Sequence, residues 1–258
     1  MTLSRSFAAL MVIIASAVML SGCMPEQVKQ IESNKTDYMR SHFAVADIPQ
    51  QVASTIAAAD SSPLGFQRME LTLALTVSRT SDNQVNHFVN TATYTAAGGP
   101  YVQILDVLNN NGVPFQEDYS LTYRGLLFLR TQQVQLNALN SNMIIAIHSL
   151  QPVAAWPQGG QGSGDVDFHY EQGFSQQIMN FQSGGTSCRF GGVFAAAEIN
   201  PALVGNAQHL HCTATNDNGV VTSRSDAAWL MHYGVVFVSQ LTSSAWVRSW
   251  KVLKVSVE

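Results

Sequence analysis

The chain has 258 residues and a formal net charge of −4, and only 12% of its residues are charged. No run of Lys or Arg forms the basic patch that nucleic acids or anionic lipid surfaces require, so we expect neither as a partner. The 46% hydrophobic content is enough to bury the core of one large domain or two small ones, which excludes intrinsic disorder.

The first 22 residues have the three parts of an export signal. Arg5 is the only charge in a short polar start, residues 7–20 are an apolar run broken by Ser16, and two small residues then precede Cys23. The apolar run is shorter than the roughly 20 residues that a transmembrane helix needs. We therefore interpret residues 1–22 as the signal peptide that precedes a functional Cys23; the alternatives are an ordinary signal peptide followed by a chance cysteine, or a buried helix.

The segment Leu20-Ser21-Gly22-Cys23 resembles the processing motif of bacterial lipoproteins, in which an apolar residue and two small residues precede an invariant cysteine. The resemblance covers only the first 23 residues. It implies that Cys23 is lipidated on sulfur, becomes the new N-terminus and is acylated, for example with palmitate, so that several acyl chains attach the protein stably. Because Met24 and not Asp follows the cysteine, it also implies the outer membrane, with the body of the protein in the periplasm.

Residues 23–65 are predicted to form a lipidated tether with short helices. The segment from Glu26 to Arg40 has an imperfect apolar side, and Pro49 can start a further helix that continues to Ala59, since proline is tolerated at the first helical position. We expect this spacer to separate the body from the membrane and to pack loosely on it.

From residue 66 onward, apolar and polar residues alternate as in half-buried β-strands. The clearest series is Met69, Leu71, Leu73, Leu75 and Val77. Asn111-Gly112 is a strong hairpin signal, because both turn positions favour positive φ. No long amphipathic helix interrupts the strands, which predicts a mainly β fold with antiparallel sheets.

Residues 151–164 contain two prolines and a Gly-Gly-Gln-Gly-Ser-Gly run, which predicts a flexible linker. The run lacks the Gly-Lys-Ser/Thr ending of a phosphate-binding loop. The linker separates two predicted copies of a β unit, residues 66–150 and 165–258. We expect a tandem pair of β-sandwich-like repeats, or their fusion into one larger sheet assembly.

The prediction of two copies depends on matching turn segments. Residues 109–113 have a counterpart in residues 216–220, and residues 123–129 have one in residues 232–238, at nearly the same offset. A repeat of this length predicts a structural duplication. The alternative is chance similarity, since β-strands share composition and turn residues.

Two cysteines remain once Cys23 is assigned to the lipid. In an oxidising periplasm, Cys188 and Cys212 are expected to form a disulfide. Two reduced thiols in a metal or redox site are the alternative, although no Cys-x-x-Cys spacing favours it.

Two strand faces carry candidate metal-binding or acid–base residues. Asp165, Asp167, His169 and Glu171 alternate with apolar and aromatic residues and therefore share one face of a strand. His209 and His211 share a face in the same way. The first set could hold a divalent cation or act as general acid and base, whereas paired histidines at this spacing can bind zinc or copper, although no third ligand is fixed by the sequence. The alternative is that both faces are simply solvated.

The chain has no Gly-x-Ser-x-Gly, no His-Glu-x-x-His and no nucleotide fingerprint. We therefore expect a non-enzymatic lipoprotein without a cofactor, which binds or scaffolds another cell-envelope protein through strand edges or aromatic patches. One alternative is an envelope module that binds a small molecule or lipid in an apolar cleft. Another is a cell-wall hydrolase or a metal-dependent enzyme.

Overall fold

The computed structural model describes residues 26–157 and 161–258. Within these ranges the chain forms three α-helices, two short 3₁₀ helices and twelve strands. The strands are antiparallel and pair in chain order, and the first strand pairs with the last, so the sheet closes into a single barrel. The structure is therefore mainly antiparallel β, as the alternation of residues predicts.

The helices and strands have the following bounds. The helices are α1 (Val28–Ser33), α2 (Lys35–His42) and α3 (Gln50–Ala59), and the 3₁₀ helices are η1 (Val45–Asp47) and η2 (Ala196–Glu198). The first six strands are β1 (Arg68–Arg79), β2 (Val85–Ala96), β3 (Tyr101–Asn110), β4 (Val113–Tyr123), β5 (Leu127–Gln135) and β6 (Ile145–Leu150). The last six are β7 (Asp165–Phe174), β8 (Gln182–Ala195), β9 (Asn206–Asn216), β10 (Val221–Leu230), β11 (Val235–Ser243) and β12 (Trp246–Val257). In the described part of the chain, no helix combines the length and the apolar character of a membrane span.

The predicted tandem pair of sandwich-like repeats is wrong, because the last strand of each predicted copy pairs with the first strand of the other. β6, which ends the first copy, pairs with β7. β12, which ends the second copy, pairs with β1 along almost its whole length, from Met69 opposite Val257 to Arg79 opposite Trp246. Separate repeats would leave edge strands with unpaired backbone groups, whereas this exchange closes the strands into one ring.

In each predicted copy, the last two strands pair with each other over only a few residues. β5 and β6 pair at Arg130–Ala146 and Thr131–Ile145, and β11 and β12 pair at three positions centred on Leu241–Arg248. All other neighbouring strands pair over longer stretches. The ring therefore consists of two six-stranded sheets: sheet I is β12-β1-β2-β3-β4-β5, and sheet II is β6-β7-β8-β9-β10-β11.

The two sheets enclose two separate apolar cores. The first core lies on sheet I and is completed by side chains from sheet II; it includes Met69, Leu71, Leu73, Val102, Ile104, Leu230, Val235 and Phe237. The second core lies on sheet II and is completed by β4 and β5 of sheet I; it includes Val166, Phe168, Leu210, Trp229, Tyr119, Leu121, Tyr123 and Leu129. Each sheet thus depends on the other for the burial of its apolar face.

Two hairpin turns meet at a place where residues of both cores lie side by side. The β4–β5 turn contains Arg124 and Gly125, and the β10–β11 turn contains Gly234, all with positive φ. The amide of Val236 donates to the carbonyl oxygen of Arg124 (2.8 Å). A Cβ on Gly125 would lie 2.6 Å from the carbonyl oxygen of Val236, so this turn requires glycine both for its φ and for its close contact. These turns belong to the segments that predicted the repeat.

A buried salt bridge fixes this junction. Arg124 pairs with Asp60, and their side chains are 4% and 0% exposed. The hydroxyl of Tyr123 also donates to Asp60 Oδ2 (3.1 Å), and Arg124 Nη2 donates to the carbonyl oxygen of Ser62 (3.1 Å). Burial, followed by the negative charge of Asp60, raises the pKa of Tyr123. The segment after α3 is therefore held firmly against the meeting point of the two sheets.

The N-terminal helices and the linker both contribute to the second core. The buried residues of the helical segment include Val28, Ile31, Phe43, Val52 and Ile56. Lys35 of α2 forms a salt bridge with the buried Glu117, which also accepts a hydrogen bond from the hydroxyl of Tyr119 (2.6 Å). From the linker, Trp156 packs edge-on against Trp229, with ring centroids 5.5 Å apart. From Glu26 onward, the segment predicted as a tether is packed into the folded body.

Candidate functional site

The predicted cysteine sites have different outcomes. Cys23, the predicted lipidation site, lies outside the described residues. Cys188 and Cys212 are directly opposite each other on β8 and β9 and form a disulfide inside the second core. The predicted disulfide is confirmed.

Asp165 and His211, two of the predicted metal-binding residues, belong to one row of polar side chains across sheet II. Asp165 lies opposite Arg189, which lies opposite His211, which in turn lies opposite Asp226. Arg189 Nε donates to Asp165 Oδ1 (3.0 Å), and His211 Nδ1 is 2.7 Å from Asp226 Oδ1. All four side chains are exposed, so solvent screens the row and it contributes little to stability.

The other three predicted residues lie elsewhere on the same exposed face. Asp167 is on β7 between Asp165 and His169, and His169 borders an open polar cleft of about 470 Å³. The ring of His209 stacks on Phe194, with centroids 4.3 Å apart. In residues 26–157 and 161–258, no three His, Cys, Asp or Glu side chains are grouped as metal ligands.

A pair of carboxylates that sequence reasoning missed lies inside sheet I. Asp106 of β3 and Asp118 of β4 are directly opposite each other. Asp106 is also opposite Ala92, which is opposite Leu71, so both carboxylates are on the sheet face that carries the first core. Both side chains are half-buried.

Side-chain amides hold both carboxylates in place. Asn90 Nδ2 donates to both carboxylate oxygens of Asp106 (3.1 and 3.0 Å). Gln116 Nε2 does the same for Asp118 (3.0 and 2.9 Å), and Gln135 Nε2 orients Gln116 by donating to its Oε1 (2.7 Å). The two acids are therefore fixed side by side rather than free to turn away from each other.

Arg248 of β12 brings a positive charge to the same interior. It lies opposite Val77, on the face of β1 that carries the first core, and its guanidinium carbon is 4.2 Å from the centre of the Trp246 ring. The pKa of Asp106 is raised to about 7, chiefly by burial and then by the charge of Asp118. The hydrogen bond from Asn90 and the charge of Arg248 lower this pKa, but by less. Burial also raises the pKa of Asp118. Near neutral pH, Asp106 is therefore only partly ionised.

Two buried polar atoms here have no hydrogen-bond partner among the described residues: Asn90 Oδ1 and Arg248 Nε. Asn90 is 1% exposed, and a buried polar group without a partner costs about 1–3 kcal/mol. Both atoms can therefore gain from a bound polar group. We call the site formed by these residues the acidic recess: Asn90, Asp106, Gln116, Asp118 and Arg248.

One signal in the sequence could have pointed to the acidic recess. In β3, every second residue from Val102 faces the first core, so Asp106 interrupts an apolar series between Ile104 and Leu108. An acidic residue at an inward position of a strand is costly and is kept where a partner or a function compensates for it. Its neighbours could be identified only once the strand register was known.

A further cleft of about 300 Å³ lies where the chain enters the body, between Glu26, α2 and the loop before β6. His42 Nε2 is 3.0 Å from the carboxylate of Glu26, and the hydroxyl of Tyr38 donates to Gln132 Oε1 (2.6 Å). Burial and then the charge of Glu26 raise the pKa of Tyr38 to about 12. This cleft marks the junction between the N-terminal segment and the barrel.

Comparison with known proteins gives no match to this chain, whether by family model, by curated protein or by solved structure. Its function must therefore be inferred from its own residues.

Proposed function

We propose that this protein is a non-enzymatic lipoprotein of the bacterial outer membrane, anchored by acyl chains at Cys23, whose periplasmic body binds another component of the cell envelope. The observation that carries the proposal is the short distance between anchor and body. Cys23 of the lipoprotein-like motif lies only three residues before Glu26 in the sequence. The backbone of Glu26 is already hydrogen-bonded to the barrel.

Backbone contacts fix the chain at this point. The carbonyl oxygen of Glu26 accepts a hydrogen bond from the amide of Ser141 (2.9 Å), and Gln27 forms a β-bridge with Asn140. Three residues span at most about 11 Å. Acyl chains at Cys23 would hold the barrel directly at the bilayer surface, which raises its effective concentration toward other envelope components.

The closed ring changes how such a partner would be contacted. Strand edges were one expected contact, but the described strands close on themselves, which disfavours the addition of a partner strand. We propose the acidic recess as the contact instead. Two fixed carboxylates and the open Oδ1 of Asn90 suit a partner group that is cationic and donates hydrogen bonds, such as an amine.

Affinity purification after mild crosslinking tests this proposal. The mature protein, purified from detergent-solubilised envelopes, should capture a partner that mass spectrometry identifies. Capture should be lost in Asp106→Asn/Asp118→Asn and in the unanchored Cys23→Ser form. It should persist in Asp217→Asn, which removes an exposed carboxylate on the β9–β10 turn, outside the acidic recess. Unchanged capture in the double variant, or turnover of an envelope substrate by the purified protein, would contradict the proposal.

The acceptor Oδ1 of Asn90, which has no hydrogen-bond partner among the described residues, favours a second candidate function, the binding of a small hydrogen-bond donor in the acidic recess. The recess is polar, so its ligand would be an amine rather than a lipid. Thermal unfolding with a panel of small primary amines tests this function. An amine that raises the melting temperature of the native protein, but not of Asp118→Asn, would support it. No shift across the panel would count against it.

A further inference from the structure

Large apolar side chains are exposed next to the point where the chain enters the body. They lie in the loop before β6, at the start of β6, at the end of β7 and in the β7–β8 turn: Leu139, Met143, Ile145, Phe174, Ile178 and Met179. We call this surface the apolar rim. Its most exposed members, Leu139 and Ile178, are 76% and 83% exposed, and such a concentration of apolar surface marks an interaction site.

The apolar rim is continuous with the N-terminal segment. Ile145 and Phe174 are directly opposite each other on β6 and β7. The 300 Å³ cleft is lined by Glu26, by Met143 and by Ser175 and Gln176, which begin the turn that carries the last two rim residues. The loop before β6 and the β7–β8 turn therefore border the same cleft as the first residue of the body.

The position of the predicted anchor indicates what covers the apolar rim. Cys23 can lie no more than about 11 Å from Glu26, because only three residues separate them. Acyl chains on Cys23 would therefore enter the bilayer beside the rim. Transfer of apolar side chains from water to the acyl-chain boundary of an adjacent bilayer is favourable.

We propose that the apolar rim inserts into the bilayer surface beside acylated Cys23, so that lipid and rim together fix the orientation of the barrel on the membrane. This inference rests on the proposed lipid anchor. The chain's low proportion of charged residues and its lack of a run of Lys or Arg in the sequence favour apolar insertion, rather than attraction to anionic headgroups, as the source of the contact.

The insertion can be measured with a fluorophore on the rim. The mature lipidated protein carries an environment-sensitive label at Met179→Cys or, as the control, at Val204→Cys, and is reconstituted into phosphatidylcholine vesicles. Val204 is also exposed, but it lies in the β8–β9 connection, at the opposite end of β8 from the β7–β8 turn. The native cysteines are paired in a buried disulfide and do not react.

Brominated acyl chains should reduce the emission of the Met179 label about twofold or more and leave the Val204 label unchanged. Equal quenching at the two positions, or none at Met179, would overturn the proposal. Intact mass reports first whether Cys23 is acylated, which distinguishes a missing anchor from a rim that does not insert; a missing anchor overturns both proposals. Shielding of the Met179 label in native envelopes but not in vesicles would show that a protein covers the rim instead.

A charge substitution gives an independent measurement. Ile178→Asp/Met179→Asp should make the lipidated protein transfer between vesicles about tenfold faster, because two apolar side chains no longer contribute to membrane attachment. Val204→Asp should leave the transfer rate unchanged. Equal transfer rates for the native protein and the double variant would contradict insertion of the rim.

Discussion

Arg124, in the turn between β4 and β5, donates a hydrogen bond from Nη1 to the carbonyl oxygen of Gly234 (2.7 Å), in the turn between β10 and β11. The two turns belong to the two segments that match each other in sequence. The contact therefore joins sheet I to sheet II, and the buried Asp60 neutralises the charge of Arg124.

Replacing Arg124 with Ala should destabilise the protein by about 3–5 kcal/mol, because the substitution leaves the Asp60 carboxylate buried without its cation. Urea denaturation of the native protein and the variant measures this difference. Arg189→Ala is the matched control, since it breaks the exposed pair with Asp165 and should leave the free energy of unfolding unchanged within error. Similar losses in the two variants would contradict a special role for the buried pair.

Two glycines with nearly equal φ separate the cost of backbone conformation from the cost of close packing. Gly112 and Gly125 have φ of 79° and 73°, but a Cβ would meet nothing within 4 Å at Gly112 and would lie 2.6 Å from Val236 O at Gly125. Gly112→Ala should lower the free energy of unfolding by about 1–2 kcal/mol, because a residue with a Cβ is disfavoured in the left-handed conformation. Gly125→Ala should cost clearly more, because a backbone carbonyl has to move. Equal unfolding free energies for the two variants would show that the turns are not in tight contact.

Removing the disulfide should cost about 3 kcal/mol in the chain-entropy model, since it closes a loop with a sequence separation of 24. Cys188→Ala/Cys212→Ala compared with the native protein in urea gives this value. Because both sulfurs are bonded to each other, thiol reagents should find no free thiol from Cys188 or Cys212, even after unfolding without a reductant. Two titratable thiols under those conditions would contradict the bond.

The stability of the protein should depend on pH through Asp106. Its pKa is raised to about 7 in the folded state, whereas an unfolded Asp titrates near its ordinary value of 3.8. Between these values the folded state holds the extra proton, so stability falls as pH rises through this window, by at most about 1.4 kcal/mol per pH unit.

Denaturation of the native protein and of Asp106→Asn at several pH values from 4 to 8 checks this dependence. The slope should be reduced in Asp106→Asn, which cannot ionise at this position. Asp217→Asn, on an exposed turn, should keep the native slope. An unchanged slope in Asp106→Asn would mean that another group controls the pH dependence.

The sequence predicts strands and turns well because these depend on neighbouring residues. The alternation from Met69 to Val77 marks β1, and Asn111-Gly112 forms the β3–β4 turn with positive φ at both positions. The same alternation does not identify the partner of a strand. The residue pattern of β6 and of β12 is equally compatible with a sheet of their own copy and with a sheet of the other copy. The pairing of each with the first strand of the other copy, which closes the barrel, therefore could not be predicted from local pattern.

The acidic recess could not be predicted from the sequence for a similar reason. Asp106, Asp118 and Arg248 are distant in sequence, and only the register of β3 with β4 and of β1 with β12 brings them to one face. The predicted candidates, such as Asp165 and His211, were found because they alternate within single strands. That alternation is also produced by any solvated face, and here it accompanies exposed cross-strand contacts, Asp165 with Arg189 and His211 with Asp226.

Metabolic labelling with a palmitate analogue, followed by separation of the membranes, tests the proposed lipid anchor most directly. The native protein should carry the label and be recovered in the outer-membrane fraction. Cys23→Ser should carry no label and leave that fraction, whereas Cys188→Ala/Cys212→Ala should remain labelled. A native protein without label, or a Cys23→Ser protein that is labelled equally, would show that Cys23 is not the anchor.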